Sequence, residues 1–355
     1  MRAEAVAMDD FASGVLVAAV RRALAADGLL PPEPPPTAAA EAVGGPGPAG
    51  GGAGPAGGGV RPAGGGVRPA GGGVRPAGGD AAPVHGALVP LAEKRSLLSA
   101  VAAEHGLLPL LSVGRTLLRD SADPALAALR AATGPGDLLD RWGRLERFTH
   151  SRHRVVVHRI SATGMEAEHK GPPGQPPEPP EDALILGLLT ALMTATGARG
   201  LTVGLSAYAS DVVFIRDAFR TPLAGPGTAS WHFSWSSWVM PLRRAPSPDE
   251  SPAARTRRML SCDLARRWTL DAVAGELGVS ARSLQRRLRD ERGFSGLLAA
   301  VRADAAAVLL REGRHPLSVI GFTCGYADQP HFTREFKRRT AMTPGQYRAA
   351  FGEES

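Results

Sequence analysis

The stretch that decides the fold is LSVIGFTCGYADQPHFTREFKRRTAMT, from Leu317 to Thr343, because it repeats an earlier part of the same chain. The earlier copy is LDAVAGELGVSARSLQRRLRDERGFS, from Leu270 to Ser295. The copies align with a shift of 47 residues, which becomes 48 after the second copy inserts one residue in its turn. The matched pairs are Leu270 and Leu317, Val273 and Ile320, Ala274 and Gly321, Gly278 and Gly325, Leu284 and Phe332, and Leu288 and Phe336.

Each copy is typical of two helices joined by a sharp turn. A small residue, Ala274 or Gly321, stands where the second helix would cross the first. Four residues later, Gly278 or Gly325 permits a turn with positive φ at low cost. A polar residue that can cap the second helix follows the turn. The pattern predicts a helix-turn-helix unit that occurs twice.

The second helix of each unit buries only a narrow apolar stripe, so most of its surface is free to read a partner. On a helical wheel, the opposite face is rich in side chains that suit DNA: Arg pairs with guanine edges, Gln pairs with adenine, and Lys and Arg hold phosphates. The predicted base-proximal residues are Arg282, Gln285 and Arg286, with Ser283 beside them, and Gln329, His331, Thr333 and Arg334. The predicted phosphate contacts are Arg289, Lys337, Arg338 and the backbone N–H groups at the helix caps Ser280 and Asp328.

The other interpretation of these charges is the solvated face of an ordinary helical bundle. Two copies with matched glycines, caps and stripes favour DNA reading instead. A helix rich in Ala and Leu is predicted at 296–313, and it would hold the two units at a fixed separation. Two reading helices on one frame could enter successive major grooves, ~34 Å apart along the duplex.

The net charge of +7 supports a polyanionic partner. From Arg255 to the end there are 18 Lys and Arg against 11 Asp and Glu, whereas the preceding 254 residues carry 23 of each. A basic module on a neutral body is typical of nucleic-acid binding, although a merely solubilising surface would have the same composition.

The rest of the chain divides by composition. A helix is predicted at 9–27, within a first segment at 1–30. Residues 31–83 are almost all Pro, Gly and Ala and contain GGGVRPA three times in tandem, which predicts a disordered insertion. An alternative is that Arg61, Arg68 and Arg75 in these repeats touch nucleic acid.

An α+β regulatory domain is predicted at 84–245, followed by an exposed linker at 246–254 and the double helix-turn-helix domain at 255–350. The fold class is therefore mainly α, with an all-α C-terminal domain joined to an α+β N-terminal domain. The predicted elements of the regulatory domain are the helices LAEKRSLLSAVAAEHG, DPALAALRAATG, DLLDRWGRLERFTHSRHR and 183–196, and the strands RVVVHRI, LTVGLSAYA and WHFSW.

Residues 255–350 resemble the DNA-binding domain of the AraC/XylS family of bacterial transcription regulators. The residues that carry the resemblance are Gly321, Phe322, Cys324, Gly325, Tyr326, Phe332, Arg334, Phe336, Lys337, Thr343, Pro344, Tyr347 and Arg348. One departure is Ala341, where the family usually has Gly; if φ is positive there, Ala costs about 1 kcal/mol.

The N-terminal region resembles the effector domain of one AraC-like subgroup, a type labelled arabinose-binding-like. The motifs are DDFASGVLVAAVRRAL, VPLAEKR, LLDRWGRLERFTHSRHRV and WHFSW. The resemblance implies a regulatory or dimerisation role, an activator, and RNA polymerase, a small-molecule effector and a second copy of the chain as partners of a double-stranded DNA-binding protein. It identifies no ligand.

Several other chemistries were weighed. His150, His153 and His158 could be spaced for a metal, but a loop-and-strand surface is favoured and no metal or cofactor is predicted. Ser206 lacks the Gly-x-Ser-x-Gly elbow of a hydrolase. Cys262 has no cluster of activated thiolates around it for methyl acceptance.

Trp231, Phe233 and Trp235 alternate with polar residues and would either pack as one strand face or line an effector pocket. Two distant cysteines, no signal-peptide pattern and an apolar run too short for a bilayer predict a cytoplasmic protein. The sequence thus predicts a sequence-specific DNA-binding transcription regulator and not an enzyme. The alternatives left open are an effector-independent architectural DNA binder and an enzyme within 84–245.

Overall fold

The computed structural model describes residues 11–30, 88–120, 123–149, 152–205, 211–221, 227–239 and 250–352. The predicted insertion at 31–83, His150, Ser206 and part of the linker at 246–254 lie outside these residues. The domain boundaries stay predictions.

Six helices build most of the N-terminal part. They are α1 (Gly14–Ala26), α2 (Leu91–His105), α3 (Leu108–Asp120), α4 (Pro124–Arg130), α5 (Pro135–Phe148) and α6 (Pro179–Thr196). The starts and stops follow the sequence. Asp123 accepts a hydrogen bond from Ala125 N–H at the start of α4, and Gly28, Gly106 and Gly197 take positive φ after α1, α2 and α6.

The apolar helix α6 lies at the centre of this part and is buried along almost its whole length. Its closest neighbour is α3, and glycine is needed on both sides of the crossing. A Cβ on Gly114 would lie 2.7 Å from the carbonyl oxygen of Gly187, and one on Gly187 would lie 2.2 Å from that of Leu111. The two backbones touch directly because neither glycine carries a side chain.

An antiparallel sheet of six strands lies beside these helices, in the order β3-β4-β9-β6-β7-β8. Two short pairs, β1 with β2 and β5 with β10, stand apart from it. The strands are β1 (Phe11–Ser13), β2 (Leu88–Pro90), β3 (Arg154–Ile160), β4 (Gly164–Lys170), β5 (Ala198–Arg199), β6 (Thr202–Gly204), β7 (Val212–Ile215), β8 (Ala218–Phe219), β9 (Ser230–Ser234) and β10 (Ser237–Trp238).

The N-terminal elements differ from the sequence predictions in four places. The predicted helix at 9–27 begins at Gly14, because residues 11–13 pair with residues 88–90 as strands. The helix predicted over DLLDRWGRLERFTHSRHR ends at Phe148. The strand predicted over LTVGLSAYA is Thr202–Gly204 within the described residues. Helix α3 and strands β4, β7 and β8 are among the elements that were not predicted.

The C-terminal part is all helix, as predicted. Its helices are α7 (Pro252–Ser261), α8 (Leu270–Glu276), α9 (Ala281–Arg287), α10 (Gly293–Arg311), α11 (Leu317–Thr323), α12 (Gln329–Thr340) and α13 (Pro344–Phe351). The pairs α8–α9 and α11–α12 are the two helix-turn-helix units. Their turns contain Gly278 with φ +66° and Gly325 with φ +77°, which confirms the predicted positive-φ turns.

Helix α10 connects the two units. It is the one helix in the described ranges that is long and apolar enough to cross a membrane by itself; α2 and α3 would qualify only as a pair bent by 117°. In the fold, α10 packs against α7, α11, α12 and α13, so its apolar surface serves the core of this domain.

A buried ion pair joins the N-terminal helices to the C-terminal part. The Arg141 side chain on α5 is fully buried, and its Nη1 and Nη2 donate to the two carboxylate oxygens of Asp263 at 2.8 Å each. It also donates to Asp137 and to the carbonyl oxygen of Ala128. Burial acts to lower the pKa of Arg141, but the hydrogen bonds to Asp263 and Asp137 outweigh it and raise the pKa.

Ala341 has φ +63°, so it occupies the left-handed region in which the sequence analysis expected a cost. We expect Ala341→Gly to raise the free energy of unfolding by up to about 1 kcal/mol, because Gly adopts this φ without a Cβ clash. Urea denaturation measures the change. The matched control is Gly293→Ala at the equivalent position of the first unit, which has φ +75° and should be destabilised. Equal stability of Ala341→Gly and the natural chain would show that this turn is not strained.

Glu146 on α5 predicts a pH dependence of stability. Burial raises its pKa to about 6, although its carboxylate accepts hydrogen bonds from Val155 N–H and Trp142 Nε1–H. Because the folded pKa lies above the unfolded value, this group contributes stability below pH ~4.5 that is lost as the pH rises through about 6. The loss is about 2 kcal/mol.

The test compares the natural chain with Glu146→Gln by urea denaturation between pH 4 and pH 8. We expect the natural chain to weaken relative to the variant as the pH rises. A difference that does not change with pH would contradict the raised pKa.

Candidate nucleic-acid interface

The first candidate surface is built on α9. Ser280 caps the helix, and its hydroxyl accepts a hydrogen bond from Ser283 N–H at 3.1 Å, as predicted. Leu284 and Leu288 are fully buried, so the helix turns one narrow stripe inward. Its polar face is consequently held toward solvent on a rigid base.

Around α9 the chain forms an open groove of about 740 Å³. Every residue that the sequence predicted for the first unit lines it. The lining consists of Ser280, Arg282, Ser283, Gln285, Arg286, Arg289, Arg292 and Gly293. Four of these residues are arginines, so the groove is a concave surface with concentrated positive charge.

Two details of this groove differ from the sequence analysis. Arg289 was placed on the reading helix, but α9 ends at Arg287 and Arg289 begins a 3₁₀ turn, Arg289–Glu291. Arg292 was missed: it has φ +59° and lines the same groove. No spacing rule would have found Arg292, because the turn after α9 breaks the helical period on which the wheel depends.

The second candidate surface is built on α12. Asp328 caps this helix, and its carboxylate accepts a hydrogen bond from His331 N–H at 2.7 Å, as predicted. Phe332 and Phe336 are fully buried beneath it. The last turn of the helix is basic, so the N-terminal half is where short polar side chains can approach a partner closely.

The mouth of α12 is more enclosed than that of α9. Gln329, His331 and Thr333 are half-buried, whereas Arg334 and Lys337 are exposed. The wheel treated both second helices alike, so this difference was not foreseen. It arises because the preceding segment of the same chain packs beside the start of α12, where the Tyr326 ring lies edge-on against His331.

The His331 ring has defined hydrogen-bond and ring contacts at the start of α12. The backbone N–H of Ala327 donates to His331 Nδ1 at 3.1 Å, and the ring packs edge-on against Tyr326. A neutral imidazole whose Nδ1 accepts a hydrogen bond carries its proton on Nε2. The ring N–H of His331 that is left for a partner is therefore Nε2–H.

The charged side chains of the two surfaces differ in how free they are. Within the described chain, Arg282, Arg286 and Arg334 make no ion pair. Arg338 instead pairs with Glu335 at 2.6 Å one turn away, and this contact raises the pKa of Arg338 and lowers that of Glu335. A phosphate would have to compete with Glu335 for Arg338.

Of the three histidines considered for a metal, His150 lies outside the described residues, and His153 and His158 have separate partners. His153 is buried and lies 3.5 Å from Glu181, and His158 is exposed and pairs with Glu168 at 2.9 Å. The expected surface location of His153 was wrong, because Glu181 of α6 and the His169 ring of β4 lie beside it in the fold. Among the described residues, no three His, Cys, Asp or Glu side chains are grouped to hold a metal.

The residues proposed to contact an effector lie in the core. Trp231, Phe233 and Trp235 are each at most 3% exposed and alternate with more exposed neighbours, which confirms the predicted strand periodicity. Trp231 Nε1 donates to the carbonyl oxygen of Thr228 at 2.7 Å, and its ring stacks on His169 at 5.7 Å between ring centroids. Their role as an effector site stays a prediction.

The chain matches a helix-turn-helix domain family over residues 273–350. The HTH-type transcriptional activator CfaD of Escherichia coli is 32% identical over 94 residues, which are 26% of this chain and 36% of CfaD. The transcriptional regulator SirC of Salmonella typhimurium is 39% identical over 83 residues, which are 23% of this chain and 28% of SirC.

A solved structure, a DNA-binding transcriptional dual regulator from Escherichia coli K-12, is 27% identical and has a TM-score of 0.28. The match covers 29% of this chain and 95% of that one. The chain spans about a third of the length of the curated relatives it matches.

Proposed function

We propose that this protein is a sequence-specific transcription regulator that binds double-stranded DNA, because its C-terminal region matches a helix-turn-helix domain family over residues 273–350 and resembles the AraC-type DNA-binding domain. The observation that carries the proposal is the groove at α9, where every predicted reading residue of the first unit meets on one electropositive surface. Four arginines in one groove favour a polyanionic partner over an ordinary solvated helix face.

The first unit reads bases from α9. Arg282 and Arg286 suit guanine, to which a guanidinium can donate two hydrogen bonds, and Gln285 suits adenine. Arg289 and Arg292 extend the groove beyond the end of the helix, where they can meet phosphates. The backbone N–H groups at the Ser280 cap add hydrogen-bond donors for the phosphates of the DNA.

The second unit reads bases from the first turns of α12. Arg334 is exposed and unpaired within the described chain, so it supplies the strongest base contact of this helix. The Nε2–H of His331 suits a base acceptor such as guanine N7 or thymine O4. Gln329 and Thr333 stand beside them. Lys337 holds a phosphate more readily than Arg338, because Arg338 is already paired with Glu335.

Placing both units on α10 would bring the two helices to successive major grooves of one duplex. Relatives that are named as activators favour activation over repression, with RNA polymerase as a partner in a cytoplasmic setting. The N-terminal region would control binding through a small-molecule effector or a second copy of the chain. It is proposed as a regulatory part and not as an enzyme.

The decisive experiment is selection of bound duplexes from a randomised DNA library by the full chain. We expect a motif of two elements about one helical turn, ~10 bp, apart. A salt titration should show affinity for the selected site ~10³-fold or more above that for random duplex. Equal affinity for both would contradict the proposal and favour an architectural DNA binder, and no retention of DNA would exclude both.

Substitutions should separate base contacts from phosphate contacts. Arg286→Ala and Arg334→Ala should each cost ~1–3 kcal/mol and relax preference at one position, in different elements of the motif. Lys337→Ala should weaken binding uniformly and reduce the slope of log affinity against log salt by about 1.

Arg287→Ala is the matched control, because Arg287 is exposed on the same helix as Arg286 but does not line the groove. It should leave the preference of the natural chain intact. A uniform loss on Arg286→Ala or Arg334→Ala, with no relaxed position, would reassign that residue to a phosphate.

A further inference from the structure

The two helix-turn-helix units belong to different hydrophobic cores. The first unit has its own core, formed by α7, α8, α9 and α10 around residues such as Leu284 and Leu288. The second unit shares one continuous core with the N-terminal region: Phe332 and Phe336 of α12 belong to the same cluster as Phe148 of α5. The N-terminal region therefore shares its hydrophobic core with the second unit, whereas the Arg141–Asp263 ion pair joins it to the segment before the first unit.

The contact between them is centred on Gly321 of α11. A Cβ on Gly321 would lie 2.6 Å from Phe148 Cε1, 3.0 Å from Phe148 Cζ and 3.0 Å from Phe332 Cδ1. The position that a methyl group on Gly321 would occupy is thus flanked by Phe148 of the N-terminal region on one side and by Phe332 of the recognition helix on another. Phe148 is 1% exposed, and its ring meets Phe322 edge-on with 6.5 Å between centroids.

The equivalent position of the first unit explains why the second needs glycine. There the residue is Ala274, which is 2% exposed and lies in a core made only of C-terminal helices. One methyl group is accommodated when a single recognition helix crosses this point. At Gly321 the tip of the Phe148 ring fills the space that the methyl group would require.

Two arginines of α5 hold the same joint. The Arg144 guanidinium lies 5.8 Å from the centre of the Phe322 ring and donates to the carbonyl oxygen of Ala265. Arg147 Nε donates to the carbonyl oxygen of Ala327 at 3.4 Å, immediately before the Asp328 cap of α12. The end of α5 is therefore fixed both at the crossing point of the second unit and at the mouth of its reading helix.

We propose that Phe148 is a positioning residue for the second recognition helix, so that the N-terminal region controls DNA reading through the second unit. This rests on the proposed function, since it assigns a control route to the same surface. A shift of α5 would move the Phe148 ring at Gly321, the position that also faces Phe332, and Phe332 is fully buried beneath α12. The reading helix α9 has no such contact within the described chain.

The test uses the full chain as Gly321→Ala, as Phe148→Leu and as the double variant. The probes are the selected duplex and two derivatives, each with one of the two motif elements scrambled. Gly321→Ala should reduce by roughly tenfold the ratio of the affinities for the selected duplex and for the duplex with a scrambled second element. A tenfold change corresponds to one lost base contact. The same ratio for the first element should not change.

Restored discrimination in the double variant distinguishes a positioning role of Phe148 from general damage to folding. Leucine lacks the ring atoms that a methyl group on Gly321 would strike, so Phe148→Leu combined with Gly321→Ala should restore discrimination at the second element. The matched control is Gly275→Ala in α8, where a Cβ meets nothing within 4 Å; it should affect neither element. Thermal melting of each variant confirms that it is folded.

Unchanged discrimination in Gly321→Ala, equal losses at both elements, or no rescue in the double variant would each overturn the positioning role. A natural chain that selects no bipartite motif would instead overturn the proposed function on which this role depends.

Discussion

The guanidinium of Arg141, fully buried between two carboxylates, is the constraint on which the arrangement of the chain depends. A buried cation is tolerated only when its donors are satisfied, and here Asp137 from its own helix and Asp263 from the segment before α8 satisfy them together with a backbone carbonyl. Separating α5 from that segment would leave charges buried without partners. The ion pair therefore fixes where the N-terminal helices meet the C-terminal helices.

That fixed joint makes two similar helix-turn-helix units unequal. Both have a positive-φ glycine in the turn, a polar cap and two buried residues one turn apart. The first unit has an open groove lined by arginines and a separate hydrophobic core. The second has a half-buried mouth and shares its core with α5. Duplication supplied two copies of one local structure, and the neighbouring chain gave them different surroundings.

The candidate site was predictable to the extent that it depends on local structure. The caps Ser280 and Asp328 followed from residue type and spacing, and the question of a positive φ at Ala341 followed from the Gly that is usual there in the family it resembles. Arg292 and the enclosed state of His331 did not follow, because one depends on a turn that breaks the helical period and the other on backbone outside the helix. Among the larger elements, α3 and β4 were missed.

The sequence by itself determined the repeated unit, because the turn glycine, the cap and the apolar stripe act over fewer than ten residues and their energies are local. It also determined the excess of positive charge after residue 254. Only the tertiary structure decided what surrounds the matched positions Ala274 and Gly321. Phe148 is more than 170 residues away from Gly321 in sequence and reaches it only when α5 packs on α11.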